Sequence, residues 1–251
     1  MLNLSIDPVN IEASFDQIAD QLFNQYLLSI GKKRYQFTEI EFYYNTIAAT
    51  KDNFAHQHGE EYLDGTWRLH SSGLDIVLKG IGSYYGGILI RGIQELDEQF
   101  QPIGTPIDGP WNTVTTCVRE MGAVDKTKSF VLTKRLEDKK RKFIKSPRVG
   151  LFLKEAENLE YICKPWRYTS IPVVTKKYRH LVYLQLCLDK NKMTETEHTS
   201  ILEQLGLSQR SMEDYKRYFE AGKHTDLDTL VGGKTTVENT CKLFGHYTIK
   251  L

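Results

Sequence analysis

The stretch YQFTEIEFYYN, residues 35 to 45, decides how this chain is read. Phe37, Ile40, Phe42, Tyr43 and Tyr44 supply the bulk that favours a pleated strand, and Glu39 and Glu41 stand two apart on one face of it. Like charges side by side on a strand repel, and neither belongs in an ordinary core. A carboxylate held by a strand and bordered by aromatic rings has the fixed direction that a general base needs. The competing reading leaves both glutamates on the wet face of an antiparallel strand, which is the commoner fate of such residues.

Upstream, Ile11, Phe15, Ile18, Leu22, Phe23 and Tyr26 recur at helical spacing, with Gly31 as a stop. This predicts one amphipathic helix over residues 10–30, packed on the sheet. Downstream, residues 46–65 form a polar connection too long for a hairpin, and such loops often carry function. It holds His56, His58, Glu60 and Glu61, residue types that suit a metal but at a spacing that matches no metal motif. No metal is expected. Residues 66–80 read as two short extended pieces around Ser71-Ser72-Gly73, and residues 86–96 as the most apolar strand. The glycine-rich turn between them displays Tyr84 and Tyr85, and it is no dinucleotide fingerprint, since the third glycine comes late and no helix follows. Arg91 interrupts its apolar strand and Asp75 sits between Leu74 and Ile76, so each is either functional or paired, most simply with the other.

Residues 111–122 read as a short helix. From 125 to 148 the chain carries ten Lys or Arg, among them Lys139, Lys140 and Arg141, against three acids. With a net charge of only +1 over 251 residues, affinity for nucleic acid has to come from such a cluster. A solvated face explains it equally well. Residues 147–153 look strand-like, 164–169 close the sheet region, and everything from about 175 onward is helical, with Ser208 capping and Gly206 stopping neighbouring helices. The expectation is an α+β fold. A mixed, largely antiparallel curved sheet with flanking helices occupies residues 1–170, and a helical extension occupies 171–251. Four scattered cysteines point to reduced thiols, and neither a signal-peptide plan nor an apolar run of membrane length is present. A cytoplasmic protein is expected, nuclear if its source has a nucleus.

A run of short motifs carries a resemblance. Glu39-Ile40-Glu41-Phe42-Tyr43, Ala55-His56, Gly65-Thr66-Trp67, Leu89-Ile90-Arg91-Gly92, Gly109-Pro110, Arg148-Val149-Gly150 and Lys164-Pro165-Trp166-Arg167-Tyr168 stand in the order of the motifs of the alkyladenine (3-methyladenine) DNA glycosylases, across residues 35 to about 170. The chain resembles that family. The resemblance implies base excision in DNA repair, with Glu41 activating the water that attacks the sugar. Tyr43 and His56 would then sandwich the extruded base, and Arg91 would hold the glutamate and a nearby phosphate. It departs from the pattern where Ser72 stands near the wedge tyrosine's place, Lys79 near the base-discriminating asparagine's and His70 near another base-stacking ring's, with Asp75 beside them in the binding region. No cofactor is implied, because one carboxylate and water suffice. The partner would be DNA, a single strand included, or a nucleotide, because a relative without the wedge need not open a duplex. A catalytically silent module that binds nucleic acid or protein on the same fold is the alternative.

Overall fold

The computed structural model describes residues 2–46, 51–55, 64–78, 84–126, 128–136, 140–151, 159–172, 175, 177–231 and 236–248. The chain divides into two compact units, Met1–Phe143 and Ile144–Leu251. The first is built as helix α1 (Ile11–Asn24), strands β1 (Tyr26–Ile30), β2 (Lys33–Thr46), β3 (Trp67–His70), β4 (Gly73–Val77), β5 (Tyr84–Leu96) and β6 (Ile107–Asp108), helix α2 (Pro110–Met121) and strand β7 (Phe130–Lys134). Its strands lie in the order β3-β4-β5-β2-β1-β7, with β6 on β5, and every one of these pairings of described strands is antiparallel. The molecule is α+β.

The anchoring stretch is the long central strand β2, as its alternation predicted. Its even-numbered residues Ile40, Phe42 and Tyr44 are buried, and Phe15 of α1 stacks on Phe42 with ring centroids 4.3 Å apart. Burying two such rings removes roughly 300–500 Å² from water, enough to seat α1 on that face. The opposite face of β4 and β5 carries α2, whose Pro110 reaches Gly73.

Helix α1 stops at Asn24, six residues short of where its periodicity ran. Residues Tyr26–Ile30 are a strand flanked on both sides, by β2 and by β7. A five-residue run that is apolar except for Ser29 fits either period, and two sets of ladder hydrogen bonds outweigh the local preference. Gly31, at φ +59°, makes the tight turn from β1 into β2.

The second unit opens within strand β8 (Phe143–Ser146) and holds helix α3 (Glu160–Cys163), strand β9 (Arg167–Ser170), and helices α4 (Arg179–Leu188), α5 (Glu195–Leu205), α6 (Gln209–Gly222) and α7 (Val237–Thr248). The expected strand over 147–153 is absent from the described part, residues 147–151, and residues 152–158 lie outside it. Pro147 has no N–H for a ladder and Gly150 turns at φ +74°, so pairing ends at Ser146. Here β9 pairs with β8 and α3 packs on α7, where the Cys163 thiol meets Leu243 O at 3.6 Å. The predicted helices α4 to α6 are present, α5 closed by a Thr194–Glu197 capping box and α6 capped by Ser208. All four cysteines are free. Among the described residues no helix is long and apolar enough to cross a membrane.

Candidate functional site

Strand geometry gathers the site. Residues opposite one another in a ladder share a face, and the register runs Glu41–Leu89–Asp75–Arg68 across β2, β5, β4 and β3. Glu39 and Tyr43 are two residues either side of Glu41, Arg91 is two from Leu89, and His70 is two from Arg68, so period-two alternation brings them all to this face. The pairing of β2 with β5 is irregular between Phe37 and Ile40, where Thr38 and Arg91 drop out of the one-to-one register. Gly92 makes that possible, because a Cβ there would lie 2.5 Å from Thr38 Oγ1 and 3.3 Å from Glu39 Cβ. Such an irregularity re-aims a side chain, and the residue re-aimed here is Arg91.

Arg91 donates from Nε to Glu39 Oε1 at 2.7 Å and from Nη1 to Glu41 Oε2 at 3.4 Å. Tyr43 donates its phenolic hydrogen to the same Glu41 Oε2 at 2.9 Å. Glu41 is wholly buried and Glu39 nearly so. Burial opposes the guanidinium's charge, but Glu41 and then Glu39 more than offset this, so the pKa of Arg91 is raised and it stays a cation. One guanidinium thus holds two carboxylates on a strand, and a tyrosine fixes the rotamer of one of them. Removing Arg91 alone would strand two buried acids, a change that typically costs about 3–5 kcal/mol.

Asp75 lies on the same face, and a side chain at Gly87, the residue opposite Tyr43, would come within 2.9 Å of Asp75 Oδ2. The bare Gly87 therefore lets Asp75 lean over β5 toward β2. His70 Nε2 lies 3.0 Å from Asp75 Oδ1, while His70 Nδ1 accepts the Ser72 N–H at 3.2 Å. That second bond assigns the ring hydrogen to Nε2, on the Asp75 side. The anticipated Arg91–Asp75 pair is not what forms: Arg91 turns to the glutamates and Asp75 to His70.

Residues 51–55 are tied to the end of β2 by a residue that the sequence pattern did not single out. Asp52 is fully buried; Oδ1 accepts from Phe54 N at 3.2 Å, Oδ2 accepts from Tyr44 N at 3.4 Å, and its carbonyl takes Asn45 Nδ2 at 3.0 Å. This Asx turn fixes the chain directly before His56. His56 itself, Lys79, Lys139 and the His58–Glu61 group lie outside the described residues. The signal for Asp52 was available as an Asp-Asn pair opening a turn. The start of α2 also belongs to this neighbourhood. Its N-cap residue Gly109 donates to Arg91 O at 2.8 Å, no side chain caps the helix, and Trp111 next to Pro110 is 63% exposed. An uncapped helix start favours negative charge, and an exposed indole offers a face on which a base can stack.

The basic segment sorts by residue type. Lys126, Lys128, Lys134, Lys140 and Lys142 are exposed, whereas Arg135 and Arg148 are buried. Arg141 is turned inward, donating from Nε to Phe23 O at 3.2 Å, from Nη2 to the same carbonyl and from Nη1 to Phe37 O at 3.0 Å. Phe23 O is one of the open carbonyls at the end of α1, so this arginine closes that helix. Burial, helped by Arg135, pulls its pKa down to about 9. A planar fork satisfies buried carbonyls well, and a lysine head stays hydrated outside, which accounts for the division.

Among the described residues no group of three or more His, Cys, Asp or Glu is placed to hold a metal ion. No family model and no solved structure matches the chain. The chain is similar to an uncharacterized protein of Acanthamoeba polyphaga mimivirus, 26% identical over 206 residues that make up 66% of this chain and 90% of that protein.

Proposed function

We propose that this chain is a monofunctional N-glycosylase, hydrolysing the bond between a modified base and its sugar in DNA or a related nucleic acid or nucleotide. The observation that carries the proposal is Glu41, a wholly buried carboxylate on a strand, oriented by Tyr43 and Arg91 on a polar face that Asp75 leans into. In the proposed step Glu41 takes a proton from water, and the water oxygen bonds to the anomeric carbon as the carbon–nitrogen bond breaks. The bonding pair leaves with the base, which is protonated as it departs. Carboxylate charge beside the sugar favours the oxocarbenium-like transition state. The half-buried ring of Tyr43 and the exposed ring of Trp111 supply aromatic surface for a base. With no amine nucleophile in the step, the sugar is left as its hemiacetal and a strand that carries it stays intact.

A silent binding module is the second reading, and one observation favours it: Arg91, Glu39 and Glu41 form a closed ion triad that would brace β2 against β5 without any chemistry. A mass-spectrometric screen for bases released from modified DNA, RNA and nucleotide pools decides between them. Base release that disappears in Glu41→Gln supports the hydrolase, and no release from any pool by the folded protein leaves the binding module.

A further inference from the structure

The second unit contains a groove of about 470 Å³, lined by residues from the starts of α4 and α7, from the turn before α6 and from α6 itself. That volume lies within the range of about 300–1,000 Å³ usual for small-molecule sites. We propose that this groove binds a nucleoside phosphate, free or as the phosphorylated end of a single strand.

The lining chemistry is the argument. Three rings stand in a row along it: the His180 ring is 6.1 Å from the ring of Tyr178 and 5.6 Å from that of Tyr215. Leu207 and Val237 extend the apolar surface beside them. A planar base gains by stacking on such a wall whatever its identity. Every formally charged side chain in the described lining is basic, namely Lys177 and Arg179. Lys177 is exposed, and Arg179 is steadied by a 2.7 Å bond from Nη1 to Leu205 O at the end of α5. Cations beside stacked rings match a ligand with an aromatic body and an anionic end.

The backbone supports this assignment. Tyr178 sits at φ +57°, a left-handed conformation that bulky residues rarely hold, directly before α4. Strained backbone of this kind clusters at ligand sites. His180 forms the floor rather than a partner for the ligand. Thr240 Oγ1 donates to backbone carbonyls of its own helix at 3.0 and 2.9 Å, so the 2.9 Å contact with His180 Nε2 is donated by the ring. Burial, followed by the charge of Arg167, favours the neutral imidazole, so the positive charge of the described lining comes from Lys177 and Arg179.

This inference is independent of the Glu41 reading, since the groove lies wholly in the other unit. Calorimetric titration of the full chain tests it, with adenosine 5′-monophosphate, adenosine, inorganic phosphate and a short 5′-phosphorylated oligothymidylate. The nucleotide or the phosphorylated strand is expected to bind at least about tenfold more tightly than adenosine or phosphate, and which of them binds names the source. Tyr215→Ala should weaken binding by about tenfold, and Tyr215→Phe should retain it. The exposed Lys177→Gln, which leaves packing alone, should weaken binding and reduce its salt dependence. The proposal fails if the nucleotide and the strand bind no better than phosphate. It fails equally if Lys177→Gln and a folded Tyr215→Ala both bind unchanged, which would locate the nucleotide outside the groove.

Discussion

Glu39 and Glu41 are chemically alike and two residues apart, yet their surroundings differ. Glu39 receives the short bond from Arg91 Nε, while Glu41 shares a longer one and takes Tyr43 as well. Under the proposed mechanism, Glu41→Gln should lower base release by about 100-fold or more, the usual size of a general-base contribution, with ligand binding largely kept. Glu39→Gln should cost less, since it changes how Arg91 is held and not the group that takes the proton. Single-turnover rates on an identified substrate check the pair, and the opposite ranking would shift the catalytic assignment to Glu39. His180 gives a second expectation at this scale. Burial, followed by the charge of Arg167, lowers its pKa from 6.5 to about 4. Between those values the unfolded chain binds the proton and the folded one does not. Stability should therefore be fully present above pH 6.5 and be lost as pH falls toward 4, by roughly 3 kcal/mol. Denaturant unfolding at pH 7 and pH 4.5 should show the drop, and His180→Gln should flatten it.

Two close approaches of backbone hold elements in place. Gly92 admits Thr38 where β2 and β5 lose register, which sends Arg91 to the glutamates. Between α6 and α7, a Cβ on Gly222 would overlap the Lys242 carbonyl and a Cβ on Gly245 would overlap the Phe219 carbonyl. The helices touch backbone to backbone, with Phe219 and Phe244 edge to face at 5.5 Å. Gly245→Ala must therefore push the pair apart, although alanine ordinarily favours a helix by about 1 kcal/mol over glycine. The expected outcome is a net loss of about 1–3 kcal/mol from overpacking, read as a lower thermal midpoint and easier proteolysis of residues 144–251. A midpoint that rises would show that helical propensity outweighs the clash. Neither glycine was legible as a contact in the sequence, because an isolated glycine in a helical pattern looks the same whether it ends the helix or admits a neighbour.

At the scale of the molecule, the near-neutral total charge conceals a division of cations. The arginines of residues 125–148 are drawn into the fold and the exposed members of the segment are lysines. If nucleic acid is the partner, its affinity should fall with salt. Neutralising Lys140 and Lys142 together should reduce the slope of log affinity against log salt by about 1.4–1.8, from a contribution of roughly 0.7–0.9 per phosphate contact. Arg141→Gln should instead lower stability, since its guanidinium holds the Phe23 and Phe37 carbonyls. Salt titrations of binding beside thermal melts separate these effects, and an unchanged slope in the lysine variant would return the segment to a merely solvated face.

The amino-acid sequence by itself determined the elements whose signal is local. The alternation of residues 35–45 specified β2 and put Glu39 and Glu41 on one face, the cap at Ser208 began α6, and Gly206 ended α5. Arg91 and Asp75 stood out because each breaks an apolar strand. What they pair with was not legible, since a partner across a sheet depends on register, and register here turns on the irregularity at Thr38 and the gaps at Gly87 and Gly92. The same reason covers β1, a short, mostly apolar run of either period that became a strand only because β2 and β7 flank it. It covers Arg141 too, which looked like a surface charge until the open end of α1 took its guanidinium. Local propensity is written residue by residue, whereas the choice of partner is an energy of contact between distant segments, and only the folded chain supplies it.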